Sequence, residues 1–140
     1  MRTVIARMPS TLEQLENDIW PEPDVHTTLI DTCHRLRKIP IDDLGAGDVR
    51  ILLGQRIGVR HLVPVAIQLL DADPMLDATF YPGDLLTAVL RADANYYRGF
   101  PKLRNQLVSI ASRAKRSISE LEELPRSLKD LAVILREYEQ

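Results

Sequence analysis

Three histidines, one cysteine, 20 carboxylates and 18 Lys or Arg are the side chains from which this chain could build a reactive centre. His26 and His34 lie eight residues apart. On one helix that spacing puts them about 80° apart around the axis and two turns apart in height, so a single metal does not suit both. Asp31 and His34 have an i,i+3 ligand spacing but lack a second pair. Cys33 is the only thiol, and His34 follows it directly. Neighbours at i,i+1 leave a helix on different sides, so the pair does not read as nucleophile and base. Cys33 instead falls on an apolar stripe, as a small buried hydrophobe would. Gly45-Ala46-Gly47 precedes Asp48 and lacks both the lysine of a phosphate loop and the third glycine of a dinucleotide fingerprint. No Gly-x-Ser-x-Gly elbow is present. The sequence therefore assigns no catalytic residue, no metal ligand and no cofactor-binding residue.

Charge carries more information than reactivity. The formal net charge is -2, which does not fit a general nucleic-acid binder. That sum hides segregation. Residues 11 to 24 hold Glu13, Glu16, Asp18, Glu22 and Asp24 with no base. Residues 71 to 84 hold Asp71, Asp73, Asp77 and Asp84 with no base. Residues 98 to 116 hold Arg98, Lys102, Arg104, Arg113, Lys115 and Arg116 with no acid. Solvated helix faces produce such runs, and so does an acidic surface built for a basic partner.

The elements that must position these groups are helices divided by nine prolines. Ser10 with Glu13, or Thr11 with Gln14, makes a capping box for a first helix. That helix carries Leu12, Leu15, Ile19 and Trp20 and ends at Pro21 and Pro23. A second is expected from about Val25 to Lys38, with Val25, Leu29, Cys33 and Leu36 inward. Ile39-Pro40 stops it. After a loop from Asp42 to Gly47, a third runs from about Asp48 to Arg56 around Val49, Leu52, Leu53 and Ile57, with Gly58 as its C′ residue. Pro64 opens a fourth, with Val63, Ala66, Ile67 and Leu70 inward, and Asp73-Pro74 ends it. Phe80-Tyr81-Pro82-Gly83-Asp84 turns into a helix carrying Leu85, Leu86, Val89 and Leu90, where Asp84 suits the positive end of the dipole. Pro101 starts the longest stretch: Leu103, Leu107, Ile110, Ala114, Ile118 and Leu121. After Pro125 a last helix carries Leu128, Leu131, Leu135 and Tyr138. Residues 49–65 are β-branched enough to form a short hairpin instead, but Pro64 would interrupt a central strand.

The chain of 140 residues fits one domain with an ordinary core. One cysteine excludes an internal disulfide framework. No stretch approaches the ~20 apolar residues of a membrane span, and residues 1–10 lack the apolar run of a signal peptide. The expectation is a compact all-α bundle of about six to eight short helices, cytoplasmic, with residues 1–9 flexible and 125–140 as the terminal helix.

Several segments together resemble the immunity proteins of bacterial contact-dependent growth inhibition (CDI) systems. They are residues 11–20 (TLEQLENDIW), 33–40 (CHRLRKIP), Asp48-Val49-Arg50 with Gly54-Gln55 and Gly58, Leu62-Val63-Pro64, and 80–86 (FYPGDLL). The match spans roughly residues 11 to 100 and is loose beyond Phe100. The resemblance implies an all-helical cytoplasmic protein that binds the C-terminal toxin domain of a contact-delivered effector and blocks it. Such toxins are often nucleases.

A nuclease cleft is basic because it holds phosphates, and carboxylates of an inhibitor can stand in for them. An interface of roughly 800 Å² per partner is within reach of this chain, which is expected to be monomeric and to bind 1:1. Because each immunity protein must match one toxin, the shared motif residues Trp20, Tyr81, Pro82, Gly83 and Asp84 read as scaffold. The toxin-binding residues are expected among exposed acids largely outside the motifs: Glu22, Asp24, Asp42, Asp43, Asp71, Asp73 and Asp77. Two other readings stand beside this one. One is a nucleic-acid-binding or regulatory module using the basic face Arg98–Arg116. The other is a small enzyme using His34 and nearby acids.

Overall fold

The computed structural model describes residues 10–92, 97 and 99–138, and for Glu137 and Tyr138 the backbone only. The expectations for residues 1–9, Arg98 and the Tyr138 side chain lie outside that range. Seven α-helices and no strand occur among the described residues, a compact all-α fold as expected. The helices are α1 (Leu12–Glu16), α2 (Thr28–Leu36), α3 (Ala46–Gly54), α4 (Val59–Ala72), α5 (Asp84–Arg91), α6 (Pro101–Ser119) and α7 (Lys129–Tyr138). Two single 3₁₀ turns, Ile41–Asp43 and Arg126–Leu128, lead into α3 and α7. None of the described helices is long and apolar enough to cross a membrane.

Local signals explain most helix ends. Thr11 and Gln14 form the capping box: the Gln14 N–H donates to Thr11 Oγ1 at 3.1 Å, and the Thr11 N–H to Gln14 Oε1 at 2.9 Å. The end of α1 corrects the expectation that Pro21 and Pro23 stop it. Asn17 turns left-handed at φ 51°, and the Asp18 N–H bonds the Glu13 carbonyl, closing a Schellman motif four residues before Pro21. Ile19 and Trp20 therefore follow beyond the helix, not on it. Helix α2 likewise starts later than expected, with Thr27 capping the Ile30 N–H. Of its expected stripe only Cys33 and Leu36 are buried; Val25 and Leu29 are 62% and 44% exposed.

Residues 49–65 form the end of α3, a four-residue turn and the start of α4, with no hairpin. Helix α3 ends in a second Schellman motif, in which Arg56, not Gly58, takes the left-handed C′ position at φ 58°. The Arg56 N–H bonds the Leu53 carbonyl and the Ile57 N–H bonds the Leu52 carbonyl. Gly58, also left-handed at φ 65°, opens α4 instead. A Cβ there would stand 2.7 Å from a methyl of the fully buried Leu12. Pro64 does not start α4 but lies inside it. The ladder bond that it cannot donate would reach Arg60, and both residues are exposed, so the loss falls on the solvent side. The expected end of α6 moves as well: it stops at Ser119, and Leu121 is exposed beyond it.

A single apolar cluster draws on all seven helices, from Leu12 and Leu36 through Leu52, Leu62, Leu86 and Leu107 to Leu131 and Leu135. Helix α3 packs on α4 and α5, α4 on α6, and α7 on both α5 and α6. The turn before α5 is type II in pattern, with Pro82 second, Gly83 third at φ 91° and the Asp84 N–H bonded to the Tyr81 carbonyl. A Cβ on Gly83 would meet Leu131 at 2.8 Å, so α7 closes the core directly over this turn. At the other end of α5 the buried Tyr97 donates its hydroxyl to the Val89 carbonyl at 2.6 Å.

Candidate functional site

Two arginines organise the parts of the surface that helices leave out. Arg37, immediately after α2, is only 1% exposed. Its guanidinium lies 4.1 Å from the centre of the Trp20 ring and donates from Nη2 to Glu16 Oε1 at 2.8 Å and to the Asp18 carbonyl at 2.9 Å. Nε and Nη1 are buried without a hydrogen-bond partner among the described residues. The ring face and the Glu16 carboxylate are thus what offset burial of this charge. Trp20 is also met edge-on by His34 at 5.1 Å. This clamp fixes the non-helical segment from Asn17 to Trp20 against α2. Nearby, Lys38 pairs with Glu13 at 2.6 Å. Sequence reasoning missed Arg37, because a cation after a helix end normally stays in water.

The second clamp joins α3 to the turn before α5. Asp84 is buried and accepts three backbone N–H bonds, from Ala78 at 2.8 Å, Thr79 at 3.0 Å and Phe80 at 2.9 Å. It is thus a loop organiser more than a helix-dipole carboxylate. Arg50 stands 3.6 Å from the same carboxylate, donates from Nε to Thr79 Oγ1 at 3.2 Å and lies 4.5 Å from the Phe80 ring centre. An open groove of about 460 Å³ runs beside it, lined by Arg50, Arg56, Phe80, Tyr81, Asp84 and Arg91. The three arginines make it cationic, a feature that no spacing in the sequence announced.

The reactive side chains are dispersed. His26 Nδ1 lies 2.6 Å from Asp31 Oδ1 and its Nε2 3.4 Å from Glu22, so Asp31 serves His26 and not His34. His61 sits half-buried on α4. Cys33 is buried, and loss of hydration pushes its thiol above the ordinary range. No group of three or more His, Cys, Asp or Glu positioned to hold a metal occurs among the described residues.

The seven expected contact acids are all exposed and lie on three separate stretches of the chain. Glu22 and Asp24 lie on the irregular segment before α2. Asp42 and Asp43 lie in the 3₁₀ turn before α3. Asp73 and Asp77 lie between α4 and α5, and Asp73 accepts the Met75 N–H at 3.2 Å. This loop approaches the start of α3, since a Cβ on Gly47 would stand 3.2 Å from the Ala78 carbonyl. Asp71 is engaged internally: Arg113 of α6 donates to its carboxylate at 2.7 Å and to its carbonyl at 2.9 Å. One residue of the expected acidic site thus neutralises one of the expected basic face, which weakens the case for that face as a phosphate binder.

The family model of CDI immunity proteins matches residues 14–107. The chain belongs to the CDI immunity protein family. This matched region holds both arginine clamps, the end of α1, helices α2 to α5 and the start of α6, and its family supports an immunity function. No curated protein and no solved structure matches the chain. Outside the matched region, the remainder of α6, the 3₁₀ turn Arg126–Leu128 and α7 still supply Ile110, Ala114, Leu128, Leu131 and Leu135 to the core. Within it, the motifs that carry the resemblance meet in space. Trp20 meets Arg37, and Arg50 meets Phe80 and Asp84. These residues hold chain segments in place, as scaffold residues do.

Proposed function

We propose that this chain is the immunity partner of a contact-delivered toxin. It binds the toxin's C-terminal domain 1:1 in the cytoplasm and blocks its activity without catalysis, metal or cofactor. Family membership over residues 14–107 carries the reading. The charge segregation supports a finer one, in which the toxin is a nuclease whose phosphate-binding cleft meets carboxylates. Glu22, Asp24, Asp42, Asp43, Asp71, Asp73 and Asp77 are the proposed contact acids, with Asp71 the weakest because Arg113 already holds it. The chain acts as one domain, consistent with the single core shared by all seven helices.

Co-purification tests this directly. The full chain and the C-terminal fragment of the effector encoded immediately upstream should elute together as a 1:1 complex. Separate elution of two well-folded components would remove the proposal. Reversing the exposed acids should slow association and flatten its dependence on salt.

A further inference from the structure

The acidic stretches and the cationic groove offer different docking faces, and packing distinguishes them. The segment from Leu15 to Leu29 exposes four apolar side chains: Leu15, Ile19, Val25 and Leu29, with Ile19 at 75% exposure. Ile19 lines an open groove with Asn17 and Asp18, and its neighbour Trp20 lines a cavity of about 150 Å³ with Leu29, Ile30 and Cys33. Single exposed hydrophobes are ordinary; here four of them share one segment with carboxylates between.

The charges on this face have been sorted by the fold. Glu13 pairs with Lys38 and Glu16 with buried Arg37. Asp18, Glu22 and Asp24 remain exposed, and among the described residues His26 stands near Glu22. The Arg37 clamp holds the start of the segment in place before any partner arrives, which lowers the entropy cost of binding. The rival faces are more occupied. Arg113 holds Asp71, and Asp73 caps its own loop. In the groove Asp84 and Thr79 engage Arg50, and Asp130 pairs with Arg91.

We propose that the 15–29 face is the toxin-docking surface. Ile19 and Leu29 form its apolar centre, Asp18, Glu22 and Asp24 its rim, and a cationic surface of the toxin domain with an apolar recess is its occupant. This rests on the immunity reading and narrows it to one face. The acidic rim steers the cationic partner, and the apolar centre slows its release.

The test titrates the full chain against the upstream-encoded toxin fragment at several salt concentrations. Ile19→Arg should weaken binding by at least about 30-fold, as loss of a central anchor does. Leu29→Lys gives an independent reading of the same centre. The double change Glu22→Lys with Asp24→Lys should lower the association rate and flatten its salt dependence. Glu122→Lys with Glu123→Lys, exposed acids outside the proposed contacts, should stay within about threefold of wild type, while Asp73→Lys with Asp77→Lys reads the rival acidic loop. Unfolding temperatures near wild type keep loss of fold out of the comparison. Wild-type binding with unchanged affinity in all the 15–29 variants would overturn the face and leave the immunity reading standing. So would loss of affinity only in the Asp73/Asp77 pair or on changing Arg56 and Arg91. Failure of the wild-type chain to bind the fragment would overturn both.

Discussion

Arg37 carries a charge into the interior with two nitrogens lacking hydrogen-bond partners, so its remaining contacts are hard to replace. Lysine has the charge but neither the planar stacking surface nor the fork. Arg37→Lys should cost roughly 1–3 kcal/mol in chemical denaturation. It should also loosen the Trp20 segment, visible as a change in Trp fluorescence before global unfolding. Asp84 is the corresponding carboxylate, with three backbone donors. Asp84→Asn keeps the shape but removes the charge and one acceptor, at a cost of about 1–3 kcal/mol in the same assay. Cys33 behaves oppositely. Its folded thiol holds the proton to higher pH than the unfolded one. The associated stability is therefore complete at neutral pH and is lost as pH rises past the ordinary thiol range toward the raised value. A thiol reagent at pH 7 should modify Cys33 slowly in the native chain and quickly in denaturant. Equal rates would show that the thiol is neither buried nor protonated as described.

At the scale of elements, turn chemistry was legible and tertiary cover was not. The Thr11–Gln14 box and the Tyr81–Asp84 turn follow from residue type and spacing, because both are local. The α2 stripe looked buried because periodicity reports amphipathicity, but no element covers Val25 or Leu29. The Asp71–Arg113 pair spans 42 residues and no short-range rule anticipates it. Proline position misled twice, since a Schellman motif ended α1 first and α4 tolerates Pro64 on its wet side. The two left-handed residues around α3 and α4 give opposite predictions. Arg56 adopts a conformation that glycine takes without strain, so Arg56→Gly should raise stability by about 0.5–1 kcal/mol. Gly58 has no room for a methyl beside Leu12, so Gly58→Ala should lower it by roughly 1–3 kcal/mol. Thermal unfolding of both variants checks the pair.

For the whole molecule, the near-neutral total conceals a partial cancellation across the tertiary structure. Some acids and bases from separate stretches pair with each other, as Asp71 with Arg113 and Asp130 with Arg91. Others stay on a surface where apolar side chains are exposed too. On the proposed reading the molecule acts through a preformed face and a partner of the other sign, without a reactive centre of its own. The most direct measurement is a titration of the upstream-encoded toxin fragment's own activity with the purified full chain. Activity should fall linearly and reach zero near one chain per toxin. Undiminished activity at a large excess of folded chain would contradict the account.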